Sequence, residues 1–275
     1  MALQLRNLAL TVLVLLLLSN LVIAQSQKAE KQKRRLQKQI FPGAKLSLDY
    51  NFDFPYPFEE HFIAAKDGKR LNALLFEADS AKGVIFYLHG NNGALDKWGK
   101  IAETYTRMHY DLFIVDYRGY GKSEDKIDNE EQLYSDIQQA YDMLKTQYAE
   151  DHIIIMGYSM GTGPAAMLAS QNHPKKLVLD APYYSLPDAV HHLAPKIDTA
   201  ILPFHFNTYQ FLQKTTAPVI IFHGDADKVF YYGSSEKLKA YFKPEDQLIT
   251  LKGWSHFDFE SNKYYVERLE NCLSN

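Results

Sequence analysis

The residues of this chain that could do chemistry collect at the ends of apolar runs. Gly157-Tyr158-Ser159-Met160-Gly161 follows the run Ile153–Met156 and opens the helix pattern Gly161–Ser170. A serine on such a strand-to-helix turn presents its hydroxyl at a helix N-terminus, where the dipole favours developing negative charge. The flanking glycines remove Cβ atoms that would clash in so tight a turn. A serine hydroxyl is a weak nucleophile until an imidazole takes its proton and a carboxylate orients that imidazole. Of the ten histidines, His256 in Gly253-Trp254-Ser255-His256 has the required position, just after the run Leu248–Leu251. His89 and His223 each precede a glycine at a strand end and read as hydrogen-bonding groups of their loops. His191, His192 and His205 read as packing or surface residues of a long connection, and His61, His109, His152 and His173 sit at element boundaries. Three carboxylates are open to the orienting role: Asp225 and Asp227 after the run ending at Phe222, and Asp180 at the end of another. An oxyanion formed at a substrate carbonyl needs two N–H donors. Met160, next to the serine, supplies one by geometry. The flexible loop Gly90-Asn91-Asn92-Gly93 supplies the other, assigned to Asn91.

Strands and helices must alternate to bring these groups together. A hairpin is expected over Phe62–Lys66 and Leu71–Phe76 about the turn dipeptide Asp67-Gly68. Gly83–Leu88, Leu112–Val115, Ile153–Met156, Leu177–Leu179, Pro218–Phe222 and Leu248–Leu251 read as strands. Lys97–Met108, Glu130–Tyr148, Gly161–Ser170, Ser234–Phe242 and Tyr264–Leu273 read as helices. In the second of these, Leu133, Ile137, Ala140, Tyr141, Leu144 and Tyr148 recur at helical spacing. Continuous apolar strands between helices mean a parallel sheet covered on both faces, with ligands beyond the carboxyl ends of its strands. The connection after Asp180 is the one long break. It is rich in aromatics (Tyr183, Tyr184, Phe204, Phe206, Tyr209, Phe211) that suit either an acyl chain or simple packing.

Composition narrows the partners. The 275 residues carry a formal net charge of −3 and a single cysteine, Cys272, which excludes a disulfide framework and any cysteine-built metal site. The charge is uneven. Residues 1–24 carry Arg6 alone and residues 25–40 a net +5, so the remainder carries −9. An acidic body argues against nucleic acid. Leu8–Ala24 is an apolar run near the lower limit for spanning a bilayer. With the basic cluster on its C-terminal side, an uncleaved run would anchor the protein and leave the body cytoplasmic. Val22 and Ala24 also fit a signal-peptidase cut before Gln25, which would export the body to the periplasm or outside the cell. Residues 25–58 read as a basic linker and N-terminal extension, with no strand or helix pattern before Phe62 that the sheet needs.

Five motifs occur in order: Tyr-Leu-His-Gly-Asn-Asn-Gly (87–93), Asp-Tyr-Arg-Gly-Tyr-Gly-Lys-Ser (116–123), Gly-Tyr-Ser-Met-Gly-Thr-Gly (157–163), His-Gly-Asp-Ala-Asp-Lys-Val (223–229) and Gly-Trp-Ser-His (253–256). With them the chain resembles the small-lid α/β-hydrolases, in the group of membrane-tethered esterases, lysophospholipases and depalmitoylating thioesterases. The resemblance covers about residues 60–270. It implies an α/β-hydrolase fold over 59–275, with a mostly parallel sheet of about eight strands, helices on both faces and a short lid at 181–217. It aligns the orienting acid with Asp227 rather than Asp225 and the second oxyanion donor with Asn91, and carries Ser159 and His256 over directly. Asp116 and Arg118 become structural residues of a loop near the site. Ser255 departs from the glycine common at that place, which leaves the local turn less defined. The implied activity is hydrolysis of an ester or thioester of an acyl or lipid-like substrate through an acyl-enzyme, by a monomer that needs no metal or organic cofactor. Serine at the nucleophile position excludes dehalogenases and epoxide hydrolases, whose nucleophile is acidic. A serine peptidase or amidase of the same fold, or a non-catalytic binding protein, is the alternative.

Overall fold

A computed structural model describes residues 26–274. The apolar run Leu8–Ala24, expected as an anchor or signal peptide, lies outside the described residues. In chain order the elements are a helix over 26–40 (α1), β1 (Ala44–Lys45), β2 (Phe58–Ala64), β3 (Arg70–Phe76), β4 (Val84–Leu88), α2 (Leu95–Trp98), α3 (Ala102–Thr106), β5 (Asp111–Val115), β6 (Tyr120–Gly121), α4 (Glu130–Leu144), β7 (Ile153–Tyr158), α5 (Thr162–Gln171), β8 (Lys176–Asp180), α6 (Leu186–Leu193), α7 (Thr208–Leu212), β9 (Val219–Gly224), α8 (Gly233–Leu238), β10 (Gln247–Leu251) and α9 (Lys263–Ser274).

Eight of the strands form one sheet in the order β10-β9-β8-β7-β4-β5-β3-β2. It is parallel from β10 to β5, and β3 and β2 join it antiparallel. Every residue of β4, β5, β8 and β9 is buried, the burial that continuous apolar runs require. Alternate strand residues feed two cores. On one face Phe86, Ile155 and Leu177 meet Leu133, Ile137 and Tyr141 of α4 and Ala165 and Leu168 of α5. On the other, Tyr87, Ile154 and Met156 meet Tyr105 of α3 and Tyr265 and Leu269 of α9. Each such side chain, fully buried, contributes about 1.5–3 kcal/mol. The register aligns the carboxyl ends at one edge. Leu88 pairs with Gly157, Tyr158 with Asp180, Asp180 with Phe222 and Gly224 with Leu251. Every chemical group singled out in the sequence follows one of these ends.

Several elements differ from the sequence reading. The hairpin strands start at Phe58 and Arg70, and the turn spans residues 65–69 rather than two residues, with Ala65 N–H bonded to Lys69 O and Gly68 N–H to Ala65 O. The single helix expected over Lys97–Met108 is α2, a 3₁₀ turn over Gly99–Ile101 and α3. Gly99 sits directly beneath the Phe54 ring, with no room for a Cβ. The long connection after β8 contains α6, a 3₁₀ turn over Thr199–Ile201 and α7.

The largest difference is the stretch before Phe62. Of the stretch 25–58, expected as a basic linker and N-terminal extension, the described residues 26–58 pack against the rest of the fold. β1 pairs in parallel with β6, Ile40 is buried, and Phe41 makes edge contacts with Tyr117, Phe204 and Phe206. Phe52, Phe54 and Tyr56 follow in a stacked row, and the last two also pack edge-on against the Phe76 ring. Among the described residues, no helix is long and apolar enough to cross a membrane.

Arg118 locks the hairpin turn to α4. Its guanidinium donates twice to Asp136 (2.6 and 2.9 Å) and twice to Asp67 (2.7 and 2.9 Å). Arg118 and Asp136 are both buried. Arg118→Met strands the Asp136 carboxylate without its partner and is expected to cost about 3–5 kcal/mol in urea unfolding. A loss below about 1 kcal/mol would mean the pair behaves like a surface ion pair.

Candidate active site

The site begins with backbone strain. Ser159 has φ +53°, in the left-handed region, which costs a non-glycine residue about 1–2 kcal/mol. The turn is held by close packing on both sides. A Cβ on Gly161 would fall 2.0 Å from the Leu88 carbonyl oxygen, and one on Gly157 would fall 2.6 Å from Ala165 Cβ. Only glycine fits either place, so the chain reverses sharply between β7 and the 3₁₀ turn Ser159–Gly161 that leads into α5. The Ser159 hydroxyl is thereby projected beyond the strand end.

His256 arrives on the loop after β10. Its Nε2 lies 2.7 Å from Ser159 Oγ and its Nδ1 2.6 Å from Asp227 Oδ2. His256 and Asp227 are 3% and 8% exposed, so this line of hydrogen bonds is shielded from water. The loop is fixed from several sides. Tyr158 OH donates to His256 O at 2.7 Å, Asp225 Oδ1 accepts from Gly253 N at 2.6 Å, and Ala226 N–H bonds Trp254 O. Ser255 is not among the residues with positive φ, so the turn does not require the glycine whose absence made it uncertain in the sequence.

The three carboxylates now separate. Asp227 alone reaches His256. Its Oδ1 accepts from Val229 N (2.7 Å) and Phe230 N (2.9 Å), leaving Oδ2 aimed at the imidazole. Burial opposes its ionisation, but hydrogen bonds from His223 and His256 outweigh this and bring it down to about 2. Asp225 braces the His256 loop. Asp180 accepts from Tyr265 OH at 2.7 Å, and burial pushes its carboxyl well above the usual range; its hydrogen bond is to a phenol and not to an imidazole.

His223, expected to bond within its loop, does more than that. Its Nε2 faces both Phe230 O (2.8 Å) and Asp227 Oδ2 (3.2 Å), and its Nδ1 faces Ser235 Oγ (2.6 Å). A carbonyl and a carboxylate only accept, so Nε2 carries the proton and Ser235 donates to Nδ1. The acid is therefore held by two histidines, an arrangement the sequence did not reveal. His89 braces the Asn91 loop, its Nδ1–H donating to Gly90 O (2.6 Å) and its Nε2 lying 3.3 Å from Asp116. Burial raises the Asp116 carboxyl against the pull of His89. His192 stacks on Tyr231, and His205 lies 4.0 Å from Glu130. Among the described residues, no group of three or more His, Cys, Asp or Glu is placed to hold a metal ion.

Two cavities share Asn91 and Val229 in their linings, and one of them reaches Ser159. One of about 350 Å³ is lined by Asn91, Asn92, Trp98, Tyr158, Ser159 and His256. The other, of about 290 Å³, starts at Asn91 and Met160 and runs between α6 and α1. Of the two residues expected as oxyanion donors, Asn91 lines both cavities and Met160 the second. Tyr120 OH donates to Asn91 O (2.9 Å) and Tyr183 OH to Met160 O (3.1 Å), holding the peptide that follows each. The aromatics of the long connection largely turn away from the cavity. Tyr183, Phe204 and Phe206 are fully buried, and Tyr184 stacks on Tyr209. Aliphatic residues of the connection, among them Leu186, Val190 and Leu202, line the cavity instead.

Residues 79–211 match the family described as serine aminopeptidase, S33. The chain is 31% identical over 201 residues to alpha/beta hydrolase domain-containing protein 17B of Xenopus laevis, covering 71% of this chain and 67% of that protein. It is 28% identical over 247 residues to protein 17C of Mus musculus, covering 85% and 75%. The chain belongs to the α/β-hydrolase superfamily. This hydrolase also shares its fold with solved esterases. One from Pyrococcus furiosus aligns with a TM-score of 0.70 at 16% identity, over 84% of this chain and 96% of that one. Est1E of Butyrivibrio proteoclasticus, solved with ferulic acid bound, aligns with a TM-score of 0.63 at 22% identity, over 78% and 96%. The chain is an α/β-fold hydrolase enzyme.

The depressed Asp227 carboxyl gives the hydrolase an acid-sensitive contribution to stability. In the unfolded chain the group titrates near 3.9, and in the fold near 2. Its contribution is present above the unfolded value and is lost as pH falls through the folded one. The stability difference between wild type and Asp227→Asn is expected to be largest near pH 5 and to shrink between about pH 4 and pH 2. A difference constant across that window, by urea unfolding, would contradict the assignment of the charge to Asp227.

Proposed function

We propose that this hydrolase cleaves carboxylic ester or thioester bonds of acyl or lipid-like substrates, with Ser159 as nucleophile, His256 as general base and acid, and Asp227 as the orienting carboxylate. The observation that carries this reading is the shielded hydrogen-bond line from Asp227 through His256 to Ser159, which ends in a cavity that shares Asn91 with a more apolar one. His256 Nε2 takes the Ser159 proton as Oγ bonds to the carbonyl carbon. The carbonyl electron pair moves onto oxygen, where the N–H groups of Asn91 and Met160 stabilise it. The intermediate then expels the alcohol or thiol, which takes the proton from His256. Water repeats the sequence on the acyl-enzyme and releases the carboxylic acid. Because His256 must protonate the leaving group, that group belongs in the cavity lined by Asn92, Trp98 and His256, and the acyl chain in the apolar one.

A second reading, a serine peptidase or amidase, draws support from the description of the matching family. The aliphatic lining beside Met160 favours acyl chains over polar peptide residues. The same proposal includes attachment of the protein to a membrane through Leu8–Ala24 with the body on the cytoplasmic side, and action as a monomer.

Ser159→Ala is expected to lower kcat on p-nitrophenyl esters by several orders of magnitude while leaving the circular dichroism and Tm unchanged. Asp227→Asn should cost far more turnover than Asp225→Asn or Asp180→Asn, because it alone touches His256. Near-wild-type hydrolysis by Ser159→Ala, or a larger loss from Asp225→Asn, would overturn the assignment. Faster turnover of matched amides than of esters would favour the peptidase reading.

A further inference from the structure

The wall of the apolar cavity opposite α6 comes from the segment that precedes the hydrolase body. Leu36, Gln39 and Ile40 of α1 face Ala189, Val190 and Leu193 of α6 across it, with Asn91 and Met160 at the inner end. Leu193 is 53% exposed, so the cavity is a groove that opens to the surface at its outer end. The C-terminal end of α1 is tied into the site. Asn91 Nδ2 donates to Ile40 O at 3.2 Å, the Gln37 side chain donates to Ile127 O, and Phe41 is wedged among Tyr117, Phe204 and Phe206. Leu36 and Ile40 lie four residues apart, on one face of the helix. The charged residues Arg34, Arg35 and Lys38 are exposed. α1 lies outside the matched residues 79–211.

Resting on the proposed function, we propose that Leu36 and Ile40 of α1 are specificity-determining residues that select the length of the substrate's acyl chain. An acyl group on Ser159 has its carbonyl oxygen at Asn91 and Met160. The leaving-group side is occupied by His256 and Trp98, so the chain must run outward along the remaining open path, between α1 and α6. A short acyl group ends near Met160 and never reaches α1. A longer one lies against Leu36 and Ile40 and gains their apolar contact. A single methylene in such a pocket discriminates by about tenfold or more, so the side chain of Leu36 is large enough to set a preference.

The test uses the full-length protein and two serine-directed probes, ethyl and dodecyl fluorophosphonate, with labelling of Ser159 followed by mass spectrometry. Each probe forms a bond from Ser159 Oγ to phosphorus and expels fluoride, and its alkyl chain takes the acyl path. Wild type is expected to label faster with the dodecyl probe. Leu36→Trp, which fills the groove, should lower the dodecyl-to-ethyl ratio of second-order rate constants by about tenfold or more. Val190→Trp, from the facing wall, should do the same. Leu36→Gln, which keeps the length and removes the apolar surface, should lower the ratio by about threefold or more. Tyr264→Trp, on the exposed face of α9, should leave it within twofold. Rapid labelling of Ser159 by both probes with an unchanged ratio in both Leu36 variants overturns the role of α1 and leaves the proposed function standing. Failure of Ser159 to label with either probe overturns the proposed function and this inference with it.

Discussion

The hydrogen-bond line from Asp227 through His256 to Ser159 constrains three chain segments at once. Its two contacts, 2.6 and 2.7 Å, hold together the loops after β9, β10 and β7. Such distances tolerate little error, and the structure around them removes it. Gly157 and Gly161 fit the serine turn against Ala165 and Leu88. Val229 and Phe230 N–H groups fix one oxygen of Asp227, and His223 approaches the other. Tyr158 holds the backbone of His256. The strained φ of Ser159 persists because the packing on both sides allows no relaxed alternative.

The parallel sheet makes this arrangement possible. Strands in register end at one edge, so Ser159 and His256, 97 residues apart in sequence, are delivered to a common site. Full burial of the central strands gives that edge its rigidity, and the two cores on either face hold the helices that follow each loop. The site itself has two sides. In the proposed mechanism the cavity bordered by Trp98, Tyr158 and His256 takes the leaving group, and the apolar groove between α1 and α6 takes the acyl chain. The electrostatics match: the Asp227 carboxyl, which faces His256, is held well below its usual range, while that of the buried Asp180 is raised.

Much of this was legible in the sequence because the relevant signals are local. A glycine-flanked serine between an apolar strand and a helix fixes its own backbone, and a histidine after the last strand has one edge to reach. Residue types and strand ends alone left Asp180, Asp225 and Asp227 open, because the choice turns on which carboxylate oxygen points at an imidazole 29 residues away, and it was the resemblance of the motif at 223–229 that pointed to Asp227. His223 was hidden for the same reason, its partner being defined by the fold of the Asp227 loop. The N-terminal segment was missed for a different reason. Its charges suggested a linker, and the apolar pair Leu36 and Ile40, spaced as on a helix face, is short. Phe41, Phe52, Phe54 and Tyr56 have neither strand nor helix period, because they lie outside the strands and helices and pack through ring contacts, Phe41 on Phe204 and the other three in a row beside Phe58 and Phe76. The aromatic connection after β8 offered lining or packing, and burial of Tyr183, Phe204 and Phe206 resolves it largely as packing.

The account depends most on a covalent acyl group forming on Ser159. Rapid acid quenching of wild-type protein during turnover of p-nitrophenyl laurate, followed by peptide mass spectrometry, tests this directly. The account predicts a lauroyl adduct on the peptide containing Ser159, formed in a burst with release of about one equivalent of p-nitrophenol and absent in Ser159→Ala. Steady turnover with no adduct, or an adduct on another residue that persists in Ser159→Ala, would contradict it.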